Sequence, residues 1–211
     1  MINRNLLVKG IKAIIPDGIS DIDFSIVSGI DRISAKEIMS LLVQNGIGKW
    51  KNDSVFFHES DKLKTAFFAI SNGSPIEEVS EYLNWKDFEA LVSQILSENG
   101  FYVEKNVILT KPRMEIDVVG IRLGIAILID CKHWKRYNSS SLTSAVQKQI
   151  ERTKQYVTKT SGSMAIPVIV TLYQDKIDFI DKVPIVPIFQ FSSFIDEFYG
   201  NIDQMKTIET D

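Results

Sequence analysis

Asp117, Asp130 and Lys132 are the residues whose types and spacing suit chemistry, because each interrupts a stretch that otherwise avoids charge. The run Ile127-Leu-Ile-Asp-Cys-Lys is apolar until it ends in Asp130, Cys131 and Lys132. Side chains alternate along a strand, so Asp130 and Lys132 share a face with Leu128, while Ile127, Ile129 and Cys131 take the other. The same alternation in Met114-Glu-Ile-Asp-Val-Val-Gly puts Glu115 and Asp117 on one face. Between the two runs, Ile121-Arg-Leu-Gly is short enough for a tight hairpin. A turn centred on Leu123-Gly124 sets Asp117 opposite Asp130. A turn shifted by one residue sets Asp117 opposite Leu128, with Asp130 next along. Opposed carboxylates on an apolar sheet repel each other and are costly to bury. A cation belongs between them, either the Lys132 ammonium or a divalent ion held through oxygen.

The flanking elements must bring up whatever else the site uses. Asn84 caps a helix over 85–97 that Asn99-Gly100 closes. Phe88, Leu91, Val92, Ile95 and Leu96 form its apolar stripe, and Glu89 lies on the flank of that stripe. Glu89 is then either a third carboxylate or a solvated residue favoured in a first helical turn. Behind the second strand, a long helix over about 140–159 carries Gln147 and Gln149 beside Leu142, Val146 and Ile150. Arg152, Lys154 and Lys159 on it read as solvated charges that also suit phosphate contacts. Cys131 reads as a small apolar residue, His133 as a surface or structural histidine, and Trp134 as a packing residue.

The second half reads as helix, strand (101–109), strand (114–121), strand (125–132), helix, strand (165–172), strand (185–191) and helix (192–199). That is a mixed α/β order. The first 80 residues differ. A segment around 21–28 and a helix from Ser34, with Glu37 completing a capping box, precede two short strands around Lys51-Asn-Asp. A helix over 61–71 follows, and Ser74-Pro75 opens a short one. The boundary falls between 72 and 84, giving domains 1–80 and 81–211.

With 211 residues, 45% hydrophobic and 24% charged, the composition is that of a globular protein. No apolar run reaches the length of a membrane helix, and the N-terminal stretch lacks a signal-peptide pattern, so a cytoplasmic protein is expected. One cysteine and two histidines exclude an internal disulfide and a Cys/His zinc cluster. The net charge of −3 hides an uneven distribution: residues 101–160 carry 11 Lys/Arg against 5 Asp/Glu. Local potential, rather than total charge, steers a polyanion.

Glu89 on a helix, Asp117 in one strand, Asp130-Cys-Lys132 closing the next and a Gln-bearing helix behind resemble the PD-(D/E)XK nuclease family, above all its Mrr-like and archaeal restriction endonucleases. The likeness covers about residues 84–191. Ile116 stands where the family name has Pro, and Thr153 where its Gln-Leu-x-x-Tyr pattern has an aromatic residue. Helix, turn, helix and hairpin in the first 80 residues resemble a winged helix. The implied fold is α/β, a restriction-endonuclease-like mixed sheet flanked by helices and preceded by a small winged-helix-like domain. The implied activity is Mg²⁺-dependent endonucleolytic hydrolysis of DNA, with Mn²⁺ as a substitute. Asp117, Asp130 and the Cys131 carbonyl would hold the ion, and Glu89 would join them directly or through a water. Lys132 would orient or help deprotonate the attacking water, and Gln149 would position that water or a phosphate. A DNA-binding protein with a catalytically inactive nuclease-like domain is the alternative. Lys36, balanced by Glu37, is the one cation of the would-be recognition helix, which suits a protein-contact or homodimer module better than a phosphate grip.

Overall fold

Two runs of elements divide the chain into compact units, Met1–Leu83 and Asn84–Asp211. The computed structural model describes residues 4–133, 139–160, 164–172 and 178–209, so Trp134 lies outside the described residues. No helix among them is long and apolar enough to cross a membrane.

The first unit runs α1 (Arg4–Gly10), β1 (Asp17–Ser20), α2 (Asp21–Ser28), α3 (Arg32–Gln44), β2 (Lys49–Lys51), β3 (Ser54–Phe57), α4 (Asp61–Ser71) and α5 (Ile76–Ser80). Its strands form an antiparallel sheet in the order β1-β3-β2. Leu7, Ile11, Phe24, Met39 and Leu42 fill the core. Two helix starts differ from the sequence signals. Asp31, not Ser34, caps α3, its carboxylate accepting from the Ser34 amide at 3.0 Å. An equally good cap upstream adds a helical turn, so it wins over the capping box. Pro75 is the cap of α5 and Ile76 its first residue, while the Ser74 hydroxyl is buried without a hydrogen bond.

Asp61 ties the hairpin to α4. It is 1% exposed and accepts from the Gly48 amide at 3.2 Å and the His58 amide at 2.9 Å, with Lys64 Nζ at 2.8 Å. Burial pushes its carboxyl up, but the His58 amide and Lys64 outweigh burial and hold the pKa below 3.8. A depressed folded pKa contributes stability above the unfolded value, and that stability is lost as pH falls through the folded one. Asp61→Ala is therefore expected to cost about 2–3 kcal/mol at neutral pH, from lost charge-assisted hydrogen bonds and stranded amides. Urea unfolding followed through Trp50 fluorescence should show that deficit, and the deficit should shrink in acid.

The second unit runs α6 (Trp85–Glu98), β4 (Tyr102–Leu109), β5 (Met114–Arg122), β6 (Ile125–Lys132), α7 (Ser139–Lys159), β7 (Met164–Thr171), β8 (Asp178–Ile180), β9 (Val183–Pro187), α8 (Ile188–Glu197) and β10 (Ile208–Glu209). Its mixed seven-stranded sheet has the order β4-β5-β6-β7-β9-β8, with β10 on the start of β7. β6, β7 and β9 are parallel, and the other pairings are antiparallel. This is the restriction-endonuclease-like mixed sheet flanked by helices. Three stretches depart from expectation: β8 and β10 lie where the sequence predicts no strand, and residues 188–191 are helical rather than the end of a strand. Pro187 gives no ladder donor and caps α8, so the apolar run Ile188-Phe-Gln-Phe turns into a helix there.

Adjacent residues show that α6 and α7 cover opposite faces. Val119 and Leu128 pack with Tyr156 and Val157 of α7. Gly120 and Ile127, one position along each strand, face Leu96 of α6. A Cβ at Gly120 would stand 2.9 Å from Ile127 Cγ2 and 3.0 Å from Leu96 Cδ1. Gly120→Ala is thus expected to overpack this seam and cost about 1–3 kcal/mol, readable as a lower urea midpoint.

Candidate active site

Leu123 and Gly124 have φ of 52° and 78°, the left-handed pair of a two-residue hairpin turn between β5 and β6. The ladder they set runs from Arg122↔Ile125 to Val118↔Ile129. The next pair in that register is Asp117 and Asp130. The ladder stops there, because the Asp117 carboxylate takes the Cys131 amide at 2.7 Å. β5 meanwhile continues along β4 to Leu109↔Met114. Asp117 thus sits where two strands part, filling a backbone donor that the parting would otherwise strand.

Asp130 is 2% exposed. Its Oδ1 accepts from Arg152 Nη1 at 2.8 Å. Its Oδ2 lies 2.7 Å from Lys132 Nζ, an ion-pair contact without hydrogen-bond geometry, so this buried oxygen has no directed donor. Gln149 is fully buried and anchors α7 to the sheet, its Nε2 donating to the Leu128 carbonyl at 2.8 Å. Its Oε1 accepts from Arg152 Nη1 at 3.3 Å, which fixes the guanidinium on Asp130. Gln147 points elsewhere and donates to Asp181, so Gln149 is the glutamine brought to the acids.

Glu89 is 8% exposed rather than solvated. Burial first, then the charges of Asp117, Glu115 and Asp130, push its pKa from 4.5 to about 7, against a smaller pull from Lys105. Asp117 rises from 3.8 to about 6, through burial and Asp130, opposed by the Cys131 amide, Lys132 and Arg152. Burial and the Asp117, Asp130 and Glu89 carboxylates hold the Cys131 thiol neutral, its pKa well above 9.0. Cys131 is half-buried, and its carbonyl is the group it has to offer a hard cation. His133 packs edge-on against Phe88, ring centroids 5.3 Å apart.

Arg152 and Glu115 are the participants that sequence reasoning left out. Arg152 is an ion-pair partner of Asp130, not a solvated charge. Its place one helical turn after Gln149 was the available signal. Glu115 is exposed and joins the carboxylates that disfavour charge on Glu89.

Residues 80–171 match the family model Mrr_cat, described as restriction endonuclease. An uncharacterised protein of Archaeoglobus fulgidus is 32% identical over 117 residues, which span 54% of this chain and 90% of that one. Residues 80–171 thus form a restriction-endonuclease-like domain. Among solved structures, a protein of unknown function shares 26% identity over 42% of this chain and 47% of its own, with a TM-score of 0.35. A Vibrio cholerae protein shares 15% identity over 95% of this chain and 50% of its own, with a TM-score of 0.39. Can2 from Sulfobacillus thermosulfidooxidans, solved with cyclic tetra-adenylate, shares 14% over 78% of this chain and 44% of its own, with a TM-score of 0.39. The chain thus spans about half the length of these solved chains.

Among the described residues, no three His, Cys, Asp or Glu side chains converge closely enough to hold a metal by themselves. Mg²⁺ does not require that many, since it takes one or two carboxylates and completes its shell with water and phosphate oxygens. The opposed Asp117 and Asp130 supply hard oxygens, one of them buried without a directed donor, and burial together with neighbouring carboxylates raises the pKa values of Asp117 and Glu89. The donor set fits such an ion. Because a cation binds the ionised carboxylates, divalent affinity is expected to rise with pH until Asp117 and Glu89 have lost their protons. Mg²⁺ calorimetry should show binding at least about tenfold weaker near pH 5 than near pH 8.

Proposed function

We propose that this nuclease-family chain is a metal-dependent endonuclease that hydrolyses DNA phosphodiester bonds. The observation that carries the reading is the placement of Asp117 opposite Asp130 at the fork between β5 and β6, with Lys132 beside them. Asp117 and Asp130 would hold Mg²⁺, with the Cys131 carbonyl as a further oxygen and Glu89 reaching the ion through a water. Once bound, the ion supplies an acidified water and neutralises charge on the phosphate. The chain's own residues do the rest. Lys132 places an ammonium where it can orient the attacking water and balance charge as the transition state forms. Arg152 holds Asp130, and Gln149 holds Arg152 through the α7 anchor on Leu128. Without an ion, burial and the neighbouring carboxylates keep Glu89 protonated to about neutrality, and a bound cation would favour its ionised form.

A second reading is a DNA-binding protein whose nuclease-like domain is inactive. Asp130 already has Arg152 and Lys132 as counter-charges, which favours this alternative. In both readings the helix–strand–helix–helix–hairpin order of the first unit suits a winged helix. Its exposed Ile26 and Ile33 suit a partner protein or second copy better than a phosphate backbone. Supercoiled plasmid and branched DNA, incubated with Mg²⁺ or EDTA, separate the readings. Cutting that needs Mg²⁺ and disappears in Asp130→Ala supports the enzyme, and salt-sensitive binding without cutting supports the alternative.

A further inference from the structure

The positive surplus of residues 101–160 is not used up by the acid cluster. Part of it lines a cleft of about 500 Å³ between the start of β5 and α7, where Arg113 faces Lys148 and Arg152. Lys148 and Arg152 stand one turn apart on the same helix face. Arg152 belongs to both places: its Nη1 holds Asp130 while its side chain forms part of the cleft wall. The opposite wall is fixed as well, because Gln155 of α7 donates to the Pro112 carbonyl at 3.0 Å and Lys159 to that of Thr110. The turn bearing Arg113 is thereby tied to the helix bearing Lys148. Of the acids in the cleft, Glu151 is paired with Lys154 at 2.7 Å, and Glu115 stands on the side of the carboxylate cluster.

We propose that this cleft is a phosphate subsite for the DNA backbone, in which Arg113 and Lys148 grip a phosphodiester next to the one presented to Asp117 and Asp130. A DNA strand meets repulsion from Glu89, Glu115 and Asp117, so cations beside them must hold it. Arg113 and Lys148 are exposed and line the same cleft as Arg152, whose guanidinium holds Asp130. Their contacts are to phosphate and carry no base specificity, so they fix position along the strand.

The proposal rests on the phosphodiesterase reading, but its test separates the two. Binding of a fluorescently labelled DNA duplex to the full chain is measured in EDTA over a salt series. The variants are wild type, Arg113→Ala/Lys148→Ala and, as a control outside the cleft, Lys182→Ala. The double variant is expected to bind at least about tenfold more weakly and to lose about one from the slope of log affinity against log salt, as for one neutralised phosphate. Its melting temperature and Mn²⁺ affinity should match wild type, and Lys182→Ala should leave the slope unchanged. An unchanged slope in the double variant, or an equal drop in the control, overturns the subsite. If Asp117→Asn abolishes cutting while the double variant binds normally, the subsite alone is wrong. Wild-type protein that binds through the cleft and never cuts leaves the subsite standing and removes the catalytic reading.

Discussion

Asp117→Asn is expected to make the metal-free protein more stable while removing the nuclease activity proposed for it. The fold raises the pKa of Asp117 from 3.8 to about 6, so it favours the protonated form. A pKa raised on folding adds stability that is fully present below the unfolded value and is lost as pH rises through the folded one. Above about pH 7, the charged Asp117 therefore strains the fold. Two pKa units correspond to roughly 3 kcal/mol, and partial exposure reduces that to about 1–2 kcal/mol. Asparagine removes the charge and keeps an oxygen to accept from the Cys131 amide. Urea unfolding in EDTA at about pH 8 should show the gain, and at about pH 5 it should shrink, because Asp117 is then protonated in the wild type too. Activity moves the other way. If Asp117 holds the ion as proposed, its loss would forfeit several kcal/mol of transition-state stabilisation, about a thousandfold in rate. A variant that is both more stable and inactive is the signature of a site built for function at the expense of the apo fold.

Arg152→Ala carries the largest stability penalty. Asp130 is 2% exposed, and removing its Oδ1 partner leaves a buried carboxylate with Lys132 as its remaining counter-charge. Breaking a buried pair from one side typically costs about 3–5 kcal/mol, and the solvent reaching Arg152 and the help of Lys132 bring the expectation to about 3 kcal/mol. Asp130→Asn placed on top of Arg152→Ala should recover part of it, since it removes the stranded charge. A double-mutant cycle by urea denaturation measures that coupling. Saturating Mg²⁺ should also narrow the Arg152→Ala deficit, because the ion supplies the missing positive charge. A deficit that Asp130→Asn and Mg²⁺ both leave untouched would mean that Arg152 acts through packing alone.

Much of the site was legible because its strands follow a two-residue period. Alternation in Met114–Gly120 and Ile127–Lys132, with the short Leu123-Gly124 turn, leaves two registers, and the left-handed conformation of both turn residues selects the one that opposes Asp117 and Asp130. What escaped depended on rotation about helices. On α6 the sequence placed Glu89 beside the apolar stripe, and the packing of α6 on the sheet decided that it is buried. On α7 it left Gln147 and Gln149 equal and Arg152 in solvent, and the sheet contact selected the face bearing Gln149 and Arg152. Apolar runs gave the weakest signal. Pro184 to Phe191 lacks a clear period, and the switch from β9 to α8 at Pro187 became visible only with neighbours in place. At α3 two good caps competed, and the one that lengthened the helix prevailed.

Asp117 and Asp130 are proposed to share one divalent cation. Mn²⁺ binding to the full chain, followed by electron paramagnetic resonance at about pH 8, above the pKa of Asp117, tests it most directly. The prediction is one bound ion per chain in the wild type, displaced by Mg²⁺ and absent from both Asp117→Asn and Asp130→Asn. Wild-type protein that binds no Mn²⁺, or an ion retained by both variants, would contradict it.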